Sequence, residues 1–181
     1  MRERSFRFTC PQLIDNQSAY IFSGPEMIEI EKKFLVTSDQ WKENILSKKK
    51  ITQFYISAPD AIPTVRLRLL GETGYLTLKY PSTSKDVLVR PEFEYEIPKE
   101  HVIAQQQFAI GNIIEKTRYE IRDEFGQLWD IDEFTSPSKG LILAEIELNK
   151  EGDNISLPEW VGEDVSGDSL YSNQVMSYQS T

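Results

Sequence analysis

The chemistry-bearing residues of this sequence first concentrate in Met27-Ile28-Glu29-Ile30-Glu31-Lys32-Lys33-Phe34-Leu35-Val36. In an extended strand the side chains alternate. Glu29, Glu31 and Lys33 then share one face and Ile28, Ile30 and Phe34 the other, with Lys32 as the one misfit. Same-face neighbours on a strand lie roughly 6.5–7 Å apart, so two carboxylates can bracket a divalent cation or its waters. The lysine can then reach an anion attached to that cation. An ordinary strand with a wet, charged face satisfies the same pattern.

The i, i+2 spacing recurs along the chain, segregated by sign. Glu92/Glu94/Glu96, Asp130/Asp132 and Glu145/Glu147 are acidic rows, while Arg66/Arg68 and Lys116/Arg118 are basic. A solvated face would ordinarily mix its signs. Segregated rows point to a barrel whose charged faces line a wet lumen, with apolar faces packed outward under a few helices. Acidic and basic walls facing one another suit a metal–polyphosphate: carboxylate oxygens for Mg2+ or Mn2+, guanidinium and ammonium groups for phosphate oxygens. A half-buried sandwich with a charged exterior is the competing architecture.

The elements that must position these rows follow from periodicity and turn signals. Strands are expected at Ile51–Ser57, Pro63–Leu70, Tyr75–Tyr80, Val87–Ile97, Ile113–Asp123, Leu128–Phe134 and Leu141–Leu148. Gly71–Gly74, Glu124–Gln127 and Ser136–Gly140 read as turns, and residues 81–86 as a polar loop. A helix is expected after Val36, capped by Thr37 and Gln40, carrying Trp41, Ile45 and Leu46 to about Ser47, with Lys48–Lys50 at its negative end. A second helix, Pro98 to Ile110, should bury Val102, Ile103 and Phe108 and leave His101 near solvent. A last helix should begin near Asp168 and carry Tyr171, Val175 and Met176.

The 181 residues suffice for one domain with a sizeable core, and 39% hydrophobic with 27% charged residues is ordinary for a globular chain. A single cysteine, Cys10, excludes an internal disulfide framework and fits a reducing cytoplasm; with His101 as the sole histidine, a Cys/His zinc cluster is excluded too. No apolar run approaches the roughly 18 residues of a membrane span. The net charge of −9 argues against nonspecific binding to nucleic acid or anionic lipid. Residues 1–26 balance Arg2, Arg4 and Arg7 against Glu3, Asp15 and Glu26, show no sustained periodicity and end near Ser23-Gly24-Pro25. They are expected to be a loosely ordered extension, with the natural start at Met27 and the domain at 27–181; a covering segment packed on the barrel is the alternative.

Glu29-Ile30-Glu31-Lys32-Lys33-Phe34-Leu35-Val36 resembles the ExExK signature that opens CYTH domains, also called triphosphate tunnel metalloenzymes. The resemblance continues in order through Val65-Arg66-Leu67-Arg68, Leu76-Thr77-Leu78-Lys79, Phe93-Glu94-Tyr95-Glu96-Ile97 and Glu115-Lys116-Thr117-Arg118-Tyr119. Trp129-Asp130-Ile131-Asp132-Glu133-Phe134, Leu143-Ala144-Glu145-Ile146-Glu147-Leu148 and Pro158-Glu159-Trp160-Val161-Gly162-Glu163-Asp164-Val165 complete it. A lone ExExK is weak, but this ordered set is strong.

The resemblance implies an α+β fold built on an eight-stranded antiparallel β-barrel, a tunnel with a charged lumen and a few flanking helices. It implies a divalent-metal-dependent triphosphatase, with Mg2+ or Mn2+, in which water attacks a terminal phosphorus. By position, Glu29, Glu31, Asp132, Glu145 and Glu147 would hold the metal, and Glu94 and Glu96 would serve a second one. Lys33, Arg66, Arg68, Lys79, Lys116 and Arg118 would hold the triphosphate, with Lys33 and Arg118 catalytic. The implied partner is a triphosphate-containing small molecule, neither nucleic acid nor membrane, and a homodimer is the assembly left open. Adenylate cyclase activity and non-catalytic binding of polyphosphate or nucleotide are the alternatives. One departure stands out: the family often carries a basic residue beside the Tyr-x-Asn matching Tyr171-Ser172-Asn173, where this chain has Leu170 and Gln174.

Overall fold

A computed structural model describes residues 28–81, 89–150 and 152–179, and only the backbone of Ile28, Glu29, Val89 and Arg90. The expected extension at 1–26 and nearly all of the expected loop at 81–86 lie outside the described residues. The strands are β1 (Ile28–Val36), β2 (Ile45–Tyr55), β3 (Thr64–Leu70), β4 (Thr73–Lys79), β5 (Val89–Ile97), β6 (Ile110–Arg122), β7 (Leu128–Ser136), β8 (Ile142–Glu147) and β9 (Val161–Asp164). They lie in the order β5-β4-β3-β2-β6-β7-β8-β1-β9, every pairing antiparallel.

β1 turns this order into a barrel-like tunnel. Its first residues, Ile28–Ile30, pair with β5, and Glu31–Leu35 pair with β8, so the first eight strands of the order meet end to end. β9 is a short ninth strand beside the end of β1. The expected eight-stranded barrel is present, with β9 added.

Period two decides what lies inside and outside. The outward faces of β1, β6, β7 and β8 bury Phe34, Tyr119, Ile121, Trp129, Ile131, Ala144 and Ile146 with Trp41 and Trp160. Those of β2 and β3 bury Phe54 and Leu67 against Val102 of helix α1 (Lys99–Gln105). Gly74 permits that closure, because a Cβ there would lie 2.7 Å from the Ile97 carbonyl oxygen and 2.8 Å from a Val102 methyl.

The lumen is not charged throughout. Ile114, Phe134 and Leu143 continue the inward rows of Lys116, Asp132 and Glu145, and with Tyr55, Val165 and Met176 they form an apolar plug. Met176 comes from helix α2 (Asn173–Tyr178), which docks closely on β6: a Cβ on Gly111, at φ +79°, would meet the Ser177 carbonyl at 2.4 Å. Among the described residues, no helix is long and apolar enough to cross a membrane.

The helices depart from expectation. The segment after Val36 forms only a 3-10 turn, Gln40–Asn44, and β2 begins at Ile45. Trp41 is its one buried anchor, whereas Ile45 and Leu46 stay 40% and 54% exposed, so no apolar stripe holds a longer helix. Pairing with β6 takes the backbone instead, and Lys48–Lys50 are strand residues rather than helix-end charges. α1 buries Val102 but leaves Ile103 and Phe108 exposed, because it ends in a 3-10 turn and yields to β6 at Ile110. The last helix is divided into a 3-10 turn (Ser169–Tyr171), capped by Asp168, and α2, capped by Ser172.

Candidate active site

The inward rows enclose a cavity of about 1010 Å³. Glu31, Lys33, Arg66, Arg68, Lys79, Glu94, Lys116, Arg118, Glu145 and Glu147, all expected site residues, line it. The barrel thus brings together charges spread from β1 to β8. Glu29 occupies β1 opposite Arg90 in register, and its side chain lies outside the described residues.

Opposite signs meet because acidic and basic strands are neighbours in the sheet. On one side Lys33 Nζ sits 2.8 Å from Glu145 and 3.8 Å from Glu31. Arg118 donates to both oxygens of Asp132 (2.8 and 2.6 Å), to Asp130 (2.6 Å) and to Glu145 (2.5 Å), while Lys116 also donates to Asp132. On the other side Arg66 donates to Glu92, Glu94 and Thr77, each at 3.2 Å; Arg68 donates to Glu94 at 2.8 Å; and Lys79 pairs with Glu92. Six of the cations that line the cavity thus have a carboxylate partner, while Arg122 donates to the Gly126 carbonyl at 2.9 Å.

This pairing governs the ionisation of the groups. Burial alone would lower Lys33, but Glu145 and Glu31 outweigh it and its pKa is raised. Burial would likewise raise Glu145, yet Lys33 and Arg118 hold it well below the usual carboxylate range. Asp132 is pushed up by burial and pulled down further by Arg118 and Lys116, so it stays ionised. In Lys116 burial wins: its pKa is pushed down from 10.5 to about 8, against the attraction of Asp132. Asp130 is raised, chiefly by burial, with Arg118 opposing.

Two expected metal residues are placed elsewhere. Asp132 is 0% exposed and directs its oxygens to Lys116 and Arg118, so it anchors cations behind the cavity wall. Its neighbour in the acidic row, Asp130, lines the cavity instead. Glu96 lines a separate groove with Glu72, Gly74, Lys99 and Glu100. Glu92, which lies in the same alternating row, is the lumen residue in its place. Neutral lining residues, Gln53, Tyr55, Asn173 and Gln174, carried no charge signal in the sequence. α2 supplies Asn173 and Gln174 to the wall, Gln174 being one of the two positions at which the sequence departs from a basic residue.

The donor chemistry fits a hard divalent cation. Glu31 lies directly opposite Glu147 in the β1–β8 register, and Asp130 opposite Glu145 in β7–β8. Like charges opposed across a ladder repel, and a bound cation relieves that cost. Among the described residues no group of three carboxylates is already gathered for a metal ion, consistent with carboxylates held by lysine and arginine.

Comparison with known proteins agrees with this geometry. A family model described as CYTH domain matches residues 27–173. An inorganic triphosphatase from Acetivibrio thermocellus is 40% identical over 147 residues, covering 80% of this chain and 90% of that protein. An inorganic triphosphatase from Nitrosomonas europaea is 32% identical over 153 residues, covering 83% and 97%. A solved inorganic triphosphatase structure superimposes with a TM-score of 0.64 at 29% identity, covering 84% of this chain and 95% of that one. The chain belongs to the CYTH domain family.

Proposed function

We propose that this protein hydrolyses inorganic triphosphate or a related short triphosphate, with water attacking a terminal phosphorus. The observation that supports this most is the lumen itself, where Lys33, Arg66, Arg68, Lys79, Lys116 and Arg118 are each held on a carboxylate around one cavity. A metal–triphosphate offers both halves of such a pair: anionic oxygens for the cations and a divalent cation for the carboxylates. Phosphate oxygens engage Lys33, Arg66, Arg68, Lys79, Lys116 and Arg118, and the metal takes up the carboxylates that line the β1–β8 side. The 40% identity to an inorganic triphosphatase over 90% of its length points to the same reaction.

Glu31, Glu145 and Glu147, with Glu29 ahead of them on β1, would hold the divalent cation; an all-oxygen set suits Mg2+ or Mn2+. When bound, the metal neutralises phosphate charge and stabilises the charge that develops in the displacement. Lys33 and Arg118 then orient the reacting phosphoryl group, and Asp132 positions the Arg118 and Lys116 heads. In the ligand-free protein Glu94 spaces Arg66 and Arg68 on the opposite wall, and Glu96 lines a separate groove.

Incubation with triphosphate, thiamine triphosphate and ATP, each with Mg2+ and with Mn2+, tests this reading by following phosphate, pyrophosphate and cyclic AMP. Phosphate release, fastest from inorganic triphosphate, is expected. Cyclic AMP from ATP would establish the cyclase instead, and triphosphate binding without turnover would establish a binder.

A further inference from the structure

Of the neutral residues that line the lumen, one is buried with its polar atoms unpaired. Gln53, on β2, lines the cavity and is 0% exposed. Among the described residues neither its Nε2 nor its Oε1 has a hydrogen-bond partner. Its cross-strand neighbour is Arg68, whose Nε is also buried without a hydrogen-bond partner, although its Nη2 holds Glu94. Buried amides are normally paired, and leaving one unpaired costs stability.

The fold satisfies a buried polar group where the role is structural. Asp123 accepts from the Phe125 and Gln127 backbone amides, from Gln127 Nε2 and from Trp129 Nε1. Trp41 Nε1 is unpaired too, but it lies in the outer core, away from the cavity. Among the described residues, Gln53 is the buried lining amide with both polar ends unpartnered.

We propose, on the triphosphatase reading above, that Gln53 is a substrate-binding residue whose Nε2–H donates to a non-bridging oxygen of triphosphate. Arg66 and Arg68 must leave Glu92 and Glu94 for the phosphate, and that exchange uncovers the amide. Its Oε1 then accepts from Arg68 Nε–H, so one arrangement satisfies both unpaired groups and braces the guanidinium against the bound anion. A neutral donor adds this contact without adding a charge to a wall already carrying Arg66 and Arg68.

The test is Gln53→Met, which keeps length and volume but deletes the amide. Calorimetric titration with inorganic triphosphate and Mg2+ should show affinity reduced roughly 10- to 100-fold, as for a lost hydrogen bond to a charged group. The melting temperature of the ligand-free variant should equal or exceed that of the wild type, since an unpaired buried amide has gone. These opposite signs separate the proposal from a packing role, which predicts lower stability with unchanged affinity. Affinity within about twofold of wild type, or a variant that is less stable or fails to fold, would overturn it. If the wild-type protein itself does not bind triphosphate, the functional reading falls and takes this inference with it; wild-type binding with an unaffected Gln53→Met removes the inference alone.

Discussion

Asp132→Asn removes the charge on which the most buried part of the lumen depends. Asp132 is 0% exposed and Lys116 4% exposed, and Arg118 shares the same carboxylate. Breaking a buried pair by deleting one partner costs about 3–5 kcal/mol. Lys116 limits that loss because it can shed its proton. Its folded pKa, about 8 against an ordinary 10.5, lies below the unfolded value, so between those limits the unfolded chain binds more protons. In the wild type this group therefore adds stability as pH rises from about 8 to 10.5, by roughly 3 kcal/mol across the window. Without Asp132 the Lys116 pKa falls further and the window opens at lower pH. Near neutrality the variant should gain up to about 1.4 kcal/mol per pH unit, where this group leaves the wild type nearly flat. Urea denaturation of both proteins from about pH 6 to pH 9 measures this. Parallel profiles, or a loss at neutral pH below about 1 kcal/mol, would refute the reasoning.

Glu31→Gln should cut triphosphate hydrolysis by orders of magnitude with partial rescue at high Mg2+, while Glu133→Gln, on the outer face where it accepts from Tyr119 at 3.0 Å, should retain activity; equal loss in both would reverse the face assignment. Arg66→Ala should weaken triphosphate binding and also destabilise the ligand-free fold by about 2 kcal/mol in chemical denaturation, because Glu92 and Glu94 each lose a buried cationic partner and keep Lys79 and Arg68. An apo stability equal to wild type would mean that these pairs carry no net energy. Glu145 ionises well below the usual range, so its contribution is fully present above about pH 4.5 and is lost as pH falls through its folded pKa. Acid titration of unfolding should therefore show a shallower decline in Glu145→Gln, and an identical decline would contradict the Lys33 and Arg118 pairing.

The inner and outer faces were legible in the sequence because backbone geometry alone sets a period of two. Glu31, Lys33, Arg66, Arg68, Lys79, Arg118, Glu145 and Glu147 reach the cavity as that period requires. Partner choice was not legible. Asp130 and Asp132 share a face, but Asp132 is buried under Lys116 and Arg118 while Asp130 stays on the cavity. Glu96 follows its row out of the main cavity for a comparable reason: the row runs longer than the cavity wall. The helical pattern from Thr37 to Ser47 was a local signal overruled by pairing with a distant strand. The apolar plug and the unpaired amide of Gln53 exist only once α2 docks and β3 sets its register against β2. Alternation is a property of a short stretch of backbone, whereas ion-pair partners, the closed end of the lumen and the hydrogen bonding of a neutral side chain depend on contacts between residues far apart in the chain.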